Sequence, residues 1–348
     1  MATISVLVPT YKRVESLHRC LKALSEQQRA CHEVLVVVRD ADAETGAYLA
    51  GKGPEQKMQQ DSGEITVQRL APPPNLSLRQ IPVSGKGVVA AMNAGLAAAK
   101  GEIVALTDDD AAPHWDWLER IHGAFAQDPK IGGVGGRDYV YFGERLDGAG
   151  YETDNVGRLL WFGLVIANHH LGKGEARDVA LLKGVNCAYR TAAIKPLGFD
   201  TRLRGEGAQV HWELMLGLNL LHRGWRLVYD PAIAVDHFPS IRHDKDQRGV
   251  FQADTHYDIV YNETLALSEN LTGMHRLAFL TWAALVGTRF APGLLQYGRL
   301  KLLAAPEARN DASARFRATW AGRRAGKAAA QPSAARAGAI AEQGARTV

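Results

Sequence analysis

The chain has 348 residues, 46% of them hydrophobic, and its 41 basic and 37 acidic residues give a formal net charge of +4. That is enough apolar material for a self-supporting core in one large or two smaller domains, which excludes a disordered chain or a small stapled scaffold. Three cysteines (Cys20, Cys31, Cys187) without a CxxC spacing argue against a disulfide framework or structural zinc, and suit a reducing compartment.

The N-terminal stretch MATISVLVPTYKR lacks the basic leader, long apolar stretch and cleavage site of a signal peptide, so it reads as a first strand and the expected location is cytoplasmic. ISVLVP (4–9) is an almost unbroken apolar run, Val14, Leu17, Leu21 and Leu24 follow at helical spacing, and EVLVVV (33–38) is a second run. EITVQRL (64–70) reads as a further strand, VVAAMNAGLAAA (88–99) as a helix and EIVALT (102–107) as a strand. Doubly apolar strands alternating with helices predict an α/β fold with a mostly parallel sheet covered on both faces. Ligands are then expected beyond the carboxyl ends of the strands. Pro9, Thr10 and Tyr11 follow the first strand, Arg39, Asp40 and Asp42 the second, and Asp108, Asp109 and Asp110 the strand at 102–107, so three segments converge on one crevice. For each segment alone, helix capping by Asp or Thr is the ordinary alternative.

In IGGVGGRDYVY (131–141) the glycines predict tight turns or close backbone approach, and with no GxGxxG after the first strand a dinucleotide fold is disfavoured. Residues 206–239 predict a helix starting near His211 and stopping at Gly224, then a strand through 227–229 and another ending at His237. SIRHDKDQRG (240–249) is polar and flexible in character. Leu277 to Thr288 is a twelve-residue, mostly apolar stretch, short of the roughly 20 that a spanning helix needs. Two readings remain for that segment: a helix packed on the preceding domain, or an in-plane interfacial helix flanked by His275, Arg276, Arg289, Arg299 and Lys301. Residues 305–348 carry eight Lys/Arg and three Asp/Glu. They are expected to form a solvated, disordered tail, with an arm for anionic lipid as the alternative. No aromatic interleaving of the base-stacking kind supports a nucleic-acid partner.

ALTDDDAAPHWDWLE (105–119) places three carboxylates at the end of an apolar strand, where each raises the cost of ionising the others unless something positive is present. Asp108 and Asp110 alternate along an extended segment and so point to one side, which suits a hard divalent cation with positions left for phosphate oxygens.

With that context, the segments SVLVPTYKRVESLHRCLKAL, EVLVVVRDADAET, GKGVVAAMNAGLAAAKGEIVALTDDDAAPHWDWLE, KGVNCAYRTAAIKPLGFD and HWELMLGLNLLHRGWRLVYDPAIAVDHF resemble family 2 glycosyltransferases, in that family's order, over about residues 3–238. The resemblance implies a GT-A fold, a nucleotide-diphosphate-sugar donor of UDP, GDP or TDP type, an inverting transfer and a divalent metal, Mn²⁺ or Mg²⁺. It implies a catalytic domain at 1–240, with a nucleotide-sugar-binding part at 1–115 and an acceptor part at 116–240. A helical extension at 241–304 and the basic tail would follow. Thr10, Tyr11, Arg13 and Asp40 would line the nucleotide pocket with Pro9, Arg39 and Asp109 from the same strand ends, and Lys86 and Asn93 would lie near the donor. Asp108 would face the ribose or the metal, Asp110 would ligate the metal, and His237 would complete the metal site.

Family members commonly carry an acidic pair followed by another carboxylate where this chain reads GEGAQVHWELML, so His211 stands where a base aspartate is expected. Three candidates for the general base follow: His211, whose unperturbed pKa near 6.5 suits the role; Glu213, alternatively a helix N-terminal charge; and Glu206. Trp212 is either an acceptor platform or core. The acceptor is expected to be a saccharide or lipid-linked glycan, with peripheral attachment to the inner face of the cell membrane if the apolar helix lies in plane. A sugar-phosphate nucleotidyltransferase would show a Gly-rich loop after the first strand, which VPTYKRVES lacks. The non-enzymatic alternative, a homologue that binds nucleotide sugar or glycan without turnover, is motivated by His211.

Overall fold

The computed structural model describes residues 2–59, 65–241, 243–244, 251–303 and 306–331. Its N-terminal part runs β1 (Ile4–Thr10), α1 (Val14–Ser25), β2 (Glu33–Arg39), α2 (Ala43–Leu49), β3 (Glu55–Gln59), β4 (Ile65–Arg69), β5 (Leu78–Val83), α3 (Val88–Ala98) and β6 (Ile103–Thr107). Then come β7 (Ala111–Pro113), α4 (Trp117–Gln127), β8 (Ile131–Phe142), β9 (Arg145–Leu146), β10 (Arg158–Leu159), β11 (Val165–Ile166), β12 (Arg177–Asp178), β13 (Asn186–Arg190) and α5 (Thr191–Ile194). The chain continues through α6 (Trp212–His222), β14 (Arg226–His237), α7 (Ala253–Asn270), α8 (Gly273–Leu285), α9 (Leu294–Leu303) and α10 (Pro306–Ala329).

The main sheet has the order β12-β14-β8-β13-β6-β1-β2-β5, with β7 added to β14 and β9 to β8. Six of the eight strands on that path run the same way, while β13 and β12 are reversed. Alternation splits the core between the two faces: Leu7, Leu35 and Val37 pack with α3 and α6, while Val6, Val8, Val34 and Val36 pack with α1 and α4. Both faces are buried because successive side chains on a strand point opposite ways and helices cover each side.

Two strand expectations need correction. EITVQRL supplies β4, which pairs with β3 in a separate two-stranded ribbon; the sheet edge is β5 instead. Sequence reading missed β5 because Leu78–Val83 alternates between half-buried and exposed residues and contains Pro82, features an edge strand tolerates and an apolar-run search passes over. The strands read at 227–229 and up to His237 are one strand, β14, with a register break between Tyr229 and Ala234. The GGVGG glycines lie inside β8, where Gly133 meets the side chains of Tyr189 and Leu227 and Gly136 meets the backbone of Ile233, so close approach is realised and a turn is not.

The tail expectation also changes. Residues 306–329 form a helix against α7, with His256 Nε2 and Thr319 Oγ1 2.8 Å apart and the Arg323 guanidinium donating to the carbonyls of Ala283 and Ala291. The Arg/Ala/Gly composition hid a ridge of small residues, Ala312, Thr319, Gly322 and Gly326, at helical spacing. That ridge lets α10 approach the backbone of Tyr257 and Tyr261. Residues 332–348 of the expected tail lie outside the described residues, as do 242 and 245–249 of the polar stretch. The segment at 277–288 is covered by α8 and the turn after it; α8 buries Phe279 and Ala283 against the preceding domain. Among the described residues no helix is long and apolar enough to cross a membrane.

Candidate active site

The carboxyl ends of β1, β2 and β6 open onto a cleft of about 260 Å³. Pro9, Thr10, Tyr11 and Arg13 line it from the first strand end, Arg39 from the second, and Asp108 and Asp110 from the third. β14 brings His237, and the start of α6 brings Trp212 and Glu213. Thus residues from opposite ends of the domain meet because β14 and β6 both deliver their ends to the same side of the sheet.

The like charges of the Asp triplet are held apart by different partners. Asp109 is fully buried, accepts from Thr10 Oγ1 at 2.6 Å and pairs with Arg13 Nη2 at 2.7 Å. Burial pushes its carboxyl up, with Arg13 opposing and Asp110 adding to the rise. It sits behind the cleft as an anchor for Arg13 and does not line it. Asp110 accepts from Arg13 Nη1 at 3.2 Å and from the Ser240 backbone N–H at 2.9 Å, and lies 3.4 Å from His237 Nε2. Burial alone would raise its pKa, but His237, Arg13 and the Ser240 N–H together hold it down at about 2.

His237 lies between two carboxylates, with Nδ1 3.5 Å from Asp138 Oδ2 and Nε2 facing Asp110. Burial opposes its protonation, yet the two carboxylates outweigh that and raise it to about 9. One ligand atom from each of Asp108, Asp110 and His237 lies within 4.8 Å of the other two. Both ring nitrogens of His237 are buried without a hydrogen bond of good geometry. Two carboxylates and an imidazole form an O/O/N donor set that fits a divalent cation of the Mn²⁺ or Mg²⁺ type and leaves positions for further oxygens.

Asp138, fully buried on β8, was not picked out from the sequence, nor was Lys183, whose Nζ donates to Asp138 Oδ2 at 2.5 Å and which lines the cleft. The signal for Asp138 was available: a carboxylate within the otherwise buried Gly-rich run of β8 needs a partner. Its carboxyl is lowered against the effect of burial, chiefly by Lys183 and then by His237. A carboxylate behind a metal-ligating histidine fixes which nitrogen faces the metal.

Of the three base candidates, Glu213 lines the cleft; Glu206 and His211 do not. Glu213 sits in the first turn of α6 and accepts from the Gly184 N–H at 3.3 Å. Burial raises its carboxyl to about 7, with Asp108 contributing in the same direction. His211 occupies the position before α6 in a left-handed conformation, φ 77°, and its ring is shifted down by burial. Glu206 pairs with Lys86 at 3.1 Å, both exposed and next to the cleft-lining Gly207 and Gly87. Asn93 is likewise outside the cleft: its amide clamps the backbone of Phe199, Nδ2 to the carbonyl at 2.8 Å and Oδ1 from the N–H at 2.9 Å. Asp40 accepts from Ser84 Oγ at 2.8 Å, next to cleft-lining Arg39 but outside the lining itself. Trp212 is 5% exposed and packs edge-on against Phe199, so it is core that also borders the cleft. At the other end, the Arg39 guanidinium lies 4.2 Å from the Tyr11 ring centre and pairs with Asp244 at 2.7 Å.

Residues 2–251 match the family described as glycosyltransferase-like family 2, and the chain belongs to it. Curated relatives include the glycosyltransferase AglE of Haloferax volcanii, 31% identical over 119 residues (34% of this chain, 33% of that protein). Another is a pre-mycofactocin glycosyltransferase of Mycobacterium tuberculosis, 29% identical over 230 residues (59% of this chain, 45% of that protein). The chain therefore spans less than half the length of the curated relatives it matches. Among solved structures it shares its fold with a mannosyltransferase, PcManGT from Pyrobaculum calidifontis, in complex with GDP-Man and Mn²⁺: TM-score 0.52, 19% identity, 98% of this chain and 80% of that one. S. aureus TarS in complex with UDP-GlcNAc gives a TM-score of 0.53 at 17% identity, over 93% of this chain and 90% of that one. The fold is thus that of the GT-A glycosyltransferases.

Proposed function

We propose that this chain is a metal-dependent, inverting glycosyltransferase that moves a sugar from a nucleoside diphosphate to a hydroxyl of a saccharide or lipid-linked acceptor. The observation that carries the reading is the convergence of Asp108, Asp110 and His237 on a cleft that also presents Glu213. Asp108, Asp110 and His237 would hold the divalent cation, which when bound stabilises the charge that develops on a leaving diphosphate. Tyr11 and Arg39 present a ring and a guanidinium plane to a nucleobase, and Lys183 adds a cation to the cleft wall. Glu213 acts as the general base. It takes the proton of the acceptor hydroxyl as that oxygen bonds to the anomeric carbon and the bond from that carbon to the diphosphate oxygen breaks. One displacement inverts the anomeric centre. A carboxyl poised near pH 7 suits this proton transfer better than an ordinary glutamate does.

Glu213 also supports turnover over the non-catalytic alternative, because the residue motivating that alternative, His211, is not the carboxylate the cleft offers. The test is release of nucleoside diphosphate from a donor panel with and without acceptor, together with NMR of the product's anomeric configuration. Product of inverted configuration is expected. Retention of configuration would exclude the single displacement, and no release with any donor would favour the binding homologue.

A further inference from the structure

One face of the C-terminal helices is built the wrong way round for a helix in water. α8 buries Phe279 and Ala283, yet on its outer side Met274, Leu277 and Leu285 are 74%, 56% and 48% exposed, at spacings that keep them in one stripe with Thr281. α9 buries none of its residues and exposes Leu295 (68%) and Leu302 (76%), with Arg299 between them. The stripe is extended from far away in sequence. The hairpin of β10 and β11 packs its tip on α8, with Phe162 edge-on to Trp282 at 5.2 Å, Gly163 against Phe279, and the Trp161 carbonyl 3.0 Å from His275 Nδ1. That leaves Trp161 itself 67% exposed beside the start of α8.

We infer that this face, Trp161 with the outer sides of α8 and α9, docks on the surface of a bilayer containing anionic phospholipid. Charge complementarity favours that occupant. Residues 271–306 contain no Asp or Glu, but they include the exposed cations Arg289, Arg299 and Lys301, while Arg276 turns back to the Ser268 carbonyl and His275 to that of Trp161. Leucines for the acyl boundary, a tryptophan for the headgroup level and arginines and lysine for lipid phosphates form the composition of an in-plane membrane surface. A second copy of the chain fits less well. A two-fold contact sets the same patch against itself, so these cations would face one another with no carboxylate from this segment between them. The helices are also too short and polar to span, so the mode is adsorption.

The inference does not rest on the transferase reading, and its test is separate. The full chain is sedimented with phosphatidylcholine vesicles and with vesicles that also contain phosphatidylglycerol, over a range of salt. The wild type is expected to pellet with the anionic vesicles and to be released as salt rises. A W161S/L277S/L285S variant should bind about ten-fold more weakly or worse, and an R299E/K301E variant should lose the preference for anionic lipid. Because all five side chains are exposed, unchanged circular dichroism and thermal unfolding are expected in both variants and distinguish surface loss from misfolding. Wild type remaining in the supernatant with both vesicle types would overturn the inference, as would both variants binding like wild type. So would a concentration-dependent dimer that the triple variant abolishes, since that outcome assigns the face to a second copy.

Discussion

At the residue scale, the Asp triplet divides into unlike parts. Asp109 is an inward anchor for Arg13 and Thr10, whereas Asp108 and Asp110 face the cleft with His237. If Glu213 is the base, kcat/KM rises with pH through about 7 as its carboxyl deprotonates. Glu213→Gln should flatten that limb and cost about 10²- to 10⁴-fold in rate; a retained limb would assign it to another group. His211→Gly is expected to keep activity within a few-fold and to be at least as stable, because glycine takes the left-handed conformation without a side-chain penalty. Loss of activity in that variant, with its melting temperature kept, would return His211 to the chemistry. Asp138→Asn should weaken Mn²⁺ binding about 10- to 100-fold by loosening His237, measured by electron paramagnetic resonance of free Mn²⁺. An unchanged affinity would reduce Asp138 to a partner for Lys183.

At the element scale, the docking of α10 on α7 depends on small residues and one buried imidazole. Gly326 lies against the Tyr261 carbonyl, so Gly326→Leu must push the helices apart. A loss of about 1–3 kcal/mol is expected in urea unfolding, and no loss would mean that α10 contributes little to the fold. His256 is buried at the same junction, and burial, aided by Arg315 and Arg323, lowers it to about 4. Between about pH 6.5 and 4 the unfolded chain binds a proton at this position that the folded chain refuses, so stability falls as pH falls. Relative to His256→Phe, the wild type should lose about 2 kcal/mol on going from pH 7 to about pH 5; parallel pH profiles would contradict the shift.

At the scale of the whole molecule, what could be read from the sequence was what local pattern controls. Continuous apolar runs marked β1, β2 and β6, and their ends held Thr10, Tyr11, Arg39, Asp108 and Asp110. The resemblance added His237, which no local pattern ties to residues more than a hundred positions earlier. β5 escaped because an edge strand is only half apolar, and α10 because its ridge of small residues resembles a low-complexity tail. Lys183 and Asp138 escaped because an ion pair between β8 and the turn before β13 has no signature until the two are neighbours. Lys86 pairs with Glu206 and Asn93 holds the Phe199 backbone, contacts between segments more than a hundred positions apart that local pattern does not carry. The central claim is that this cleft takes a nucleotide sugar together with a divalent cation. Calorimetric titration of UDP-, GDP- and TDP-sugars, with Mn²⁺ and with EDTA, on the wild type and on Asp110→Ala, tests it most directly. One donor class is expected to bind with Mn²⁺ and to lose most of its affinity both in EDTA and in the variant. Binding that is indifferent to metal and to Asp110, or no binding by any donor, would contradict it.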